Sequence, residues 1–380
     1  MKIGVPLERD AVETRVAATP DTVKKYIALG FEVLVEKGAG KASRIPDAEF
    51  KDAGAKIVPD AAAAMKDADV VLKVRRPTAA ELGSMKAGAL VIGIMDPYGN
   101  ERDVEAMAKA NVAAVAMEFM PRITRAQSMD VLSSQANLAG YQCVIEGAAE
   151  FDRALPMMMT AAGTVPAARV FVMGAGVAGL QAIATARRLG AVVTATDVRP
   201  AAKEQVESLG AKFIAVEDDE FKQAETAGGY AKQMSEEYQK KQAELVATHI
   251  AKQDIVITTA LIPGRPAPRL ITKAMVTSMK PGSVIVDLAV ERGGNVEGAK
   301  PGKIATVSDV KIVGHLNMAG RIASSASSLY AKNLLTFVTT LVDKETSALK
   351  VNWEDELVSA TVLTRDGAVV HPAFAPKGDE

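Results

Sequence analysis

The sequence predicts an α/β protein of two doubly wound domains joined by long helices, with a cleft between them. Three observations predict it. Short apolar, β-rich runs alternate with helical periodicity along most of the 380 residues, the mark of consecutive βαβ units around parallel sheets. One unit carries a G-x-G-x-x-G turn, Gly174-Ala175-Gly176-Val177-Ala178-Gly179, between an expected strand and an expected helix. Two long helical stretches, near 130–153 and 324–342, lie where one αβ series gives way to the other.

In the first series strands are expected at 3–5, 31–35, 70–74, 89–94 and 112–119, with helical segments such as 21–29 and 103–110 between them and no glycine fingerprint. The helix near 130–153 stops before Pro156, because proline cannot continue it. The second series opens with a strand at 169–173 and the glycine turn. A helix over 180–189 follows, apolar at Leu180, Ile183, Ala184 and Ala186 and stopped by Gly190. The next strand, 191–196, ends at Asp197, and further strands are expected at 212–216, 254–259, 283–288 and 311–313. Helix 324–342 then returns towards the first domain, with a β-rich tail at 357–370. The boundaries that follow are 1–131 with 325–380 for the first domain and 132–324 for the second. One segment, 217–242, breaks the alternation. It is long, charged and contains Gly228-Gly229-Tyr230, so it reads either as a surface helix-loop-helix insertion or as a mobile lid.

Composition narrows the function classes. A 48% hydrophobic share is ample for two cores, and a net charge of −1 from 45 basic and 46 acidic residues gives no surface for nucleic acid or anionic membrane. The single cysteine, Cys143, excludes an internal disulfide framework and a cysteine-rich metal site, and reads as a small buried apolar residue. No run of 18 apolar residues occurs, and residues 1–6 read as a first strand rather than a signal peptide. A soluble, intracellular protein with no membrane span of its own is expected.

The strand and helix around the glycine turn make it a dinucleotide site. Gly174 makes the tight turn, Gly176 lets the backbone approach a pyrophosphate, and Gly179 lets helix and strand pack closely; the helix N-terminus adds N–H donors and positive dipole. Asp197 is placed to accept hydrogen bonds from an adenosine ribose, and its charge repels a 2′-phosphate, so NAD(H) is expected over NADP(H). Arg199 is the one residue that could soften that preference, and it reads equally as a solvated loop residue.

Five motifs occurring in order then resemble the NAD(H)-binding component of the proton-translocating nicotinamide nucleotide transhydrogenase family, over residues 1 to about 372. They are Glu13-Thr14-Arg15-Val16-Ala17, the segment from Met120 through Pro121-Arg122-Ile123-Thr124-Arg125-Ala126-Gln127-Ser128-Met129 to Asp130, Met157-Met158-Met159-Thr160-Ala161-Ala162-Gly163-Thr164, the glycine turn, and Ala227-Gly228-Gly229-Tyr230-Ala231-Lys232. The wider superfamily includes alanine dehydrogenase, which shares the segment Lys280-Pro281-Gly282-Ser283-Val284-Ile285-Val286-Asp287. The resemblance implies that Arg122, Gln127 and Asp130 orient the nicotinamide for hydride transfer, with Ile123, Thr124 and Ser133 beside it. It implies that Asp197 takes the ribose hydroxyls, flanked by Val198 and Arg199, and that Val177 packs in the glycine turn. Gly229 and Tyr230 would belong to a loop closing over NAD(H), and Gln242 and Leu261 would touch the nucleotide. Taken from the residues alone, Arg122, Gln127 and Asp130 are a polar strand-to-helix connection with Ser128 or Asp130 as a helix cap.

The resemblance also implies partners: an NADP(H)-binding component, a membrane-spanning component that carries the proton, and a second copy of this chain in a homodimer, the whole held at the cytoplasmic face of a bacterial membrane. The chemistry of the residues agrees with a hydride carrier. Oxidation of an amino or hydroxy acid needs a proton acceptor near the nicotinamide, and the three histidines are His249 in a charged helix, His315 after a strand and His371 in the tail. Laid on alanine dehydrogenase, Asp96 falls where that enzyme has its catalytic histidine and Glu291 where it has an aspartate. Arg15 and Lys73 match, and read as structural or as an ion-pair remnant. An NAD-dependent amino-acid dehydrogenase of the alanine type is therefore the alternative, and a catalytically silent NAD-binding sensor the third reading.

Overall fold

The computed structural model describes residues 1–222, 234–262, 264–343 and 345–375. The chain forms two compact units, Met1–Gln135 with Ala319–Glu380, and Ala136–Met318. It passes from the first to the second within one long helix and returns at a 3-10 turn, Met318–Ile322.

The first unit is built on β1 (Lys2–Val5), β2 (Glu32–Glu36), β3 (Lys56–Val58), β4 (Val70–Arg75), β5 (Leu90–Ile94) and β6 (Ala113–Ala116). The crossings carry α1 (Pro20–Ala28), α2 (Asp47–Asp52), α3 (Ala61–Met65), α4 (Ala79–Leu82) and α5 (Glu101–Lys109). The six strands are parallel in the order β6-β5-β4-β1-β2-β3, the doubly wound arrangement that reverses at β1/β4. Side chains alternate between the two faces as strand geometry requires. Val70, Leu72, Leu90 and Ile92 enter one apolar cluster, Val71 and Val91 the other. Both faces are covered, which is why these strands read as continuous apolar runs. Helix α1 starts where the sequence has its signals, with Thr19 in a capping box and Pro20 in the first turn.

The second unit continues α6 (Val131–Glu150), which begins in the first, and adds a hairpin of β7 (Met158–Thr160) and β8 (Gly163–Val165). Its sheet contains β9 (Arg169–Met173), β10 (Val192–Thr196), β11 (Lys212–Phe213), β12 (Ile255–Thr258), β13 (Val284–Asp287), β14 (Lys303–Val307) and β15 (Val310–Gly314). Its helices are α7 (Val177–Arg188), α8 (Ala202–Ser208), α9 (Asp219–Lys222), α10 (Glu236–Ile250) and α11 (Lys273–Ser278). The order β11-β10-β9-β12-β13-β15 is again parallel and doubly wound, with β14 added antiparallel at one edge. Alternation recurs, with Val170 and Val172 on one face and Phe171 and Met173 on the other.

The chain then returns to the first unit through α12 (Ala323–Thr340), which buries Tyr330, Leu334, Phe337 and Val338 in its core. A small ribbon of β16 (Val342–Asp343) and β17 (Ala348–Leu349), then α13 (Glu356–Thr361), lead to β18 (Val362–Arg365) and β19 (Ala368–Val369), which extend the first sheet antiparallel beyond β6.

The two doubly wound units expected from the sequence are present, with local departures. The strand expected over 112–119 ends at Ala116, because Met117–Phe119 winds into a 3-10 turn. The tail over 357–370 begins as helix α13, capped by Asp355, whose side chain accepts the Leu357 N–H. Strands β3, β7, β8 and β14 carry exposed or half-exposed residues, so they lack the apolar signal of the central strands. Of the segment 217–242, the described parts are helical, and Gln242 lies inside α10.

Glycine in a helix interior ordinarily costs about 1 kcal/mol against alanine. At Gly140 in α6 the sign reverses, because an added Cβ would sit 2.1 Å from the backbone oxygen of Ala178. At Gly147 the nearest atoms are methyls of Ile255 and Val286, 3.2 and 3.3 Å away, which have room to shift. Gly140→Ala should therefore lose ~2 kcal/mol or more in urea unfolding through steric overpacking, and Gly147→Ala should stay within ~1 kcal/mol of the parent. Equal stability of the two variants would contradict the close approach of α6 and α7.

Candidate functional site

The glycine turn leaves β9 and enters α7 at the point where the strand order of the second sheet reverses, between β9 and β12. The three glycines are not equivalent. Gly174 has φ +104° and an added Cβ there would meet Thr259 Oγ1 at 2.5 Å; at Gly179 it would meet the Gly174 carbonyl oxygen at 1.8 Å. At Gly176 nothing lies within 4 Å of such a Cβ. Two positions thus hold the turn against its own protein, and the third faces open space in front of a helix N-terminus. Gly176 is also the N-cap of α7 and supplies no side chain to the first turn, so the turn presents backbone donors where a phosphate would sit. This cradle fits a dinucleotide pyrophosphate.

The rim follows from the neighbouring strand ends. Asp197, just past β10, turns back to the glycine turn and accepts the Ala175 N–H at 2.7 Å. Arg199 pairs with it, Nε to Oδ1 at 2.9 Å. Val177, Val198 and Leu261 are exposed apolar side chains at the ends of β9, β10 and β12. Gln242 reaches in from α10, accepting the Val216 N–H at 2.9 Å and donating to Thr196 Oγ1 at 3.2 Å. So Gly174, Gly176, Val177, Gly179, Asp197, Val198, Arg199, Gln242 and Leu261 all lie at the carboxyl end of this one sheet. Gly229 and Tyr230 lie outside the described residues.

Two residues that sequence reasoning missed shape this rim. Thr259 Oγ1 donates to the Gly174 carbonyl at 3.1 Å and so fastens the turn to β12. Asn295, fully buried, accepts the Ala260 N–H at 3.1 Å and donates to the carbonyls of Ala260 and Pro268 at 2.9 and 2.8 Å, pinning both ends of the loop that carries Leu261. The available signal was a polar residue after the turn-forming pair Gly293-Gly294. A cavity of about 470 Å³ lies elsewhere, beside edge strand β14 with Lys273, Glu297, Lys300 and Lys303 in its wall, and contains none of the expected residues.

In the first unit the segment holding Arg122, Ile123, Thr124, Gln127, Asp130 and Ser133 is a 3-10 turn, Thr124–Met129, leading into α6. Ala126 and Met129 are buried as anchors. Arg125 forks onto Asp355 at 2.8 and 3.0 Å, and Asn333 of α12 holds the Ser128 carbonyl at 2.8 Å. Between these anchors Arg122, Thr124 and Gln127 point outward and are exposed, while Ile123 packs part-buried against the core. Asp130 caps α6: its carboxylate accepts the Ser133 N–H at 2.8 Å and the Ser133 hydroxyl.

Arg15 and Lys73 form buried ion pairs inside this unit. Lys73 Nζ lies 2.8 Å from Glu81 and 3.4 Å from Glu8, and Arg15 Nε lies 2.7 Å from Glu13, with Gln135 at 2.9 Å. Burial pushes the Glu13 carboxyl up, but the Arg15 hydrogen bonds and charge, with Arg75, outweigh it and hold it at about 2. Burial of Glu118 wins instead, pushing it up to about 7 although it accepts N–H bonds from Met95 and Asp96. Asp96 sits at φ +46° beside it. His315 faces Glu146 at 3.4 Å, and Glu291 accepts the Asn317 N–H.

The glycine geometry makes a discriminating prediction. Gly179→Ala should disrupt the turn and abolish NADH binding along with ~2 kcal/mol or more of stability. Gly176→Ala should leave thermal stability near the parent and still weaken NADH at least ~10-fold, since the methyl occupies only the place of the phosphates. Unchanged NADH titration in Gly176→Ala would remove the pyrophosphate from this turn.

The comparisons with known proteins agree with this geometry. The family model described as alanine dehydrogenase/PNT, N-terminal domain, matches residues 4–139, and the one described as alanine dehydrogenase/PNT, C-terminal domain, matches residues 143–372. The chain is 61% identical over 383 residues to a Rhodospirillum rubrum protein, the first of the separate pieces of the NAD(P) transhydrogenase alpha subunit, covering 100% of both chains. A crystal structure of transhydrogenase from Sinorhizobium meliloti is 67% identical with a TM-score of 0.89, covering 97% of this chain and 100% of that one. An L-alanine dehydrogenase structure is 27% identical with a TM-score of 0.82, covering 98% of each. The chain belongs to the alanine dehydrogenase/PNT family, and within it the high identities lie with transhydrogenase rather than with alanine dehydrogenase.

Proposed function

We propose that this chain is the NAD(H)-binding component of a proton-translocating transhydrogenase, exchanging hydride between NAD(H) held here and NADP(H) held by a separate component. The observation that carries the reading is the turn itself: an open approach at Gly176, a helix N-terminus behind it, and the Asp197 carboxylate at the end of the adjacent strand. Bound NADH would supply the hydride. Asp197 would take the adenosine ribose, and its charge favours NAD(H) over a 2′-phosphorylated cofactor. Arg122, Gln127 and Asp130 would orient the nicotinamide, and the anchoring of Arg125, Ala126, Ser128 and Met129 fits that role by fixing the backbone from which Arg122 and Gln127 project.

The alanine dehydrogenase alternative is the weaker one. Such a reaction needs a proton acceptor and a free cationic site for a substrate carboxylate, whereas Arg15 and Lys73 are committed to Glu13, Glu8 and Glu81. Transfer between two nicotinamides needs only the two reacting carbons about 3–3.5 Å apart and water excluded.

Partners follow. A relative of nearly the same length is one piece of a divided subunit, which supports further components for NADP(H) and for the membrane. No helix among the described residues is long and apolar enough to cross a membrane, so a place at the cytoplasmic face of the membrane would come through those components. A homodimer is supported by the β7–β8 hairpin, all of whose residues are exposed, with Met159 at 76%; apolar side chains so placed mark association surfaces.

Stopped-flow exchange between NADH and an NADP analogue, in a mixture of this chain with the NADP-binding component, tests the reading. Gln127→Asn should keep NADH affinity within a few-fold and slow exchange by ~10–100-fold, because small displacements of reacting atoms are costly. A collapse of affinity with a normal rate at saturation would make Gln127 a binding residue only, and turnover of alanine with NAD would favour the alternative.

A further inference from the structure

The carboxylate assigned to the ribose is fully engaged before any ligand arrives. Asp197 Oδ1 accepts the Arg199 N–H and Arg199 Nε, both at 2.9 Å; Oδ2 accepts the Ala175 N–H at 2.7 Å and Arg199 Nη2 at 3.1 Å. A carboxylate offers about four acceptor positions, so a ribose diol must displace a donor. Two of the four are backbone N–H groups fixed by the glycine turn and the strand end. The other two belong to one guanidinium, whose side chain is 35% exposed against 7% for Asp197. The exchangeable partner is Arg199.

We propose that the Arg199 guanidinium is an internal stand-in for the ribose diol, and that its pairing with Asp197 determines which dinucleotide binds. The proposal rests on the NAD(H) reading above and adds to it. Two ribose hydroxyls replace the two guanidinium donors one for one, and the displaced Arg199 is left to solvent and to the Ala175 carbonyl, which it already contacts at 3.2 Å. A 2′-phosphate offers no donors to replace the fork. It meets the carboxylate as a like charge, while the cation that would suit it stays bound to that carboxylate. Discrimination thus belongs to the pair: Asp197 both repels the phosphate and withholds Arg199 from it.

Binding titrations of NADH and NADPH, read by nucleotide fluorescence on the 380-residue chain and its variants, test this. Arg199→Met leaves both backbone donors on Asp197 and removes the competitor, so NADH should bind ~3–10-fold tighter while NADPH does not. Arg199→Lys, which keeps the charge and loses the fork, should fall between that variant and the parent. Asp197→Ser releases Arg199, and NADPH should gain ~10-fold or more from the freed guanidinium; Asp197→Ser with Arg199→Met should lose that gain. Equal weakening of both cofactors in Arg199→Met and Arg199→Lys would make Arg199 a brace for the turn and overturn the proposal. So would a gain in NADPH binding that survives in the double variant. If the parent chain prefers NADH and the variants leave the ratio unmoved, this proposal alone fails; if the parent shows no preference, the NAD(H) reading fails and takes the proposal with it.

Discussion

The close passage of α7 over its own turn, with Gly179 against the Gly174 carbonyl, is the constraint on which the candidate site depends. It brings the first turn of α7 to the end of β9 with no side chain intervening. Asp197 then binds the Ala175 N–H and ties the next strand end to the same turn, and Thr259 ties the strand on the other side. Three adjacent strands therefore end at one rigid rim, and the apolar alternation that fills both faces of the sheet keeps them there. Removing any of the three tethers would leave the remaining N–H groups without a fixed direction, and direction is what a pyrophosphate reads.

The first unit repeats the same winding without a glycine turn, and its interior charges are spent on one another. Lys73, Arg15, Glu8, Glu13 and Glu81 pair within the core of that unit. Buried pairs of this kind add little net stability but are costly to break, so they fill the space with polar groups that take no part in binding. The contribution of this unit to the chemistry is instead the turn from Arg122 to Asp130, fastened at alternate residues to α12 and α13.

The legibility of the sequence varied with burial. Central strands of both sheets were readable because both faces are covered and the runs are apolar throughout. Strands β3 and β14 and the β7–β8 hairpin were not, since their exposed residues carry no periodic signal. At the site, the glycine turn and Asp197 could be read from spacing alone because the backbone itself performs the function. Gln127 and Arg122 could be singled out only through family resemblance, since an exposed polar turn looks the same whether or not it faces a ligand. The capping bond from Ser133 to Asp130 shows why: the structural role expected of Asp130 from sequence is real, and a role toward the nicotinamide would come in addition. The engagement of Asp197 by Arg199 was not readable, because two neighbouring charges in sequence do not announce whether they face each other.

The central claim is that hydride passes directly between two nicotinamides, one bound by this chain and one by another. A single-turnover experiment with NADH tritiated at the transferred C4 position, mixed with this chain and the NADP-binding component loaded with NADP, tests it most directly. The account predicts that the label appears in NADPH and not in water, and that omitting the second component abolishes transfer. Label released to water, or transferred to pyruvate and ammonia by this chain alone, would contradict it.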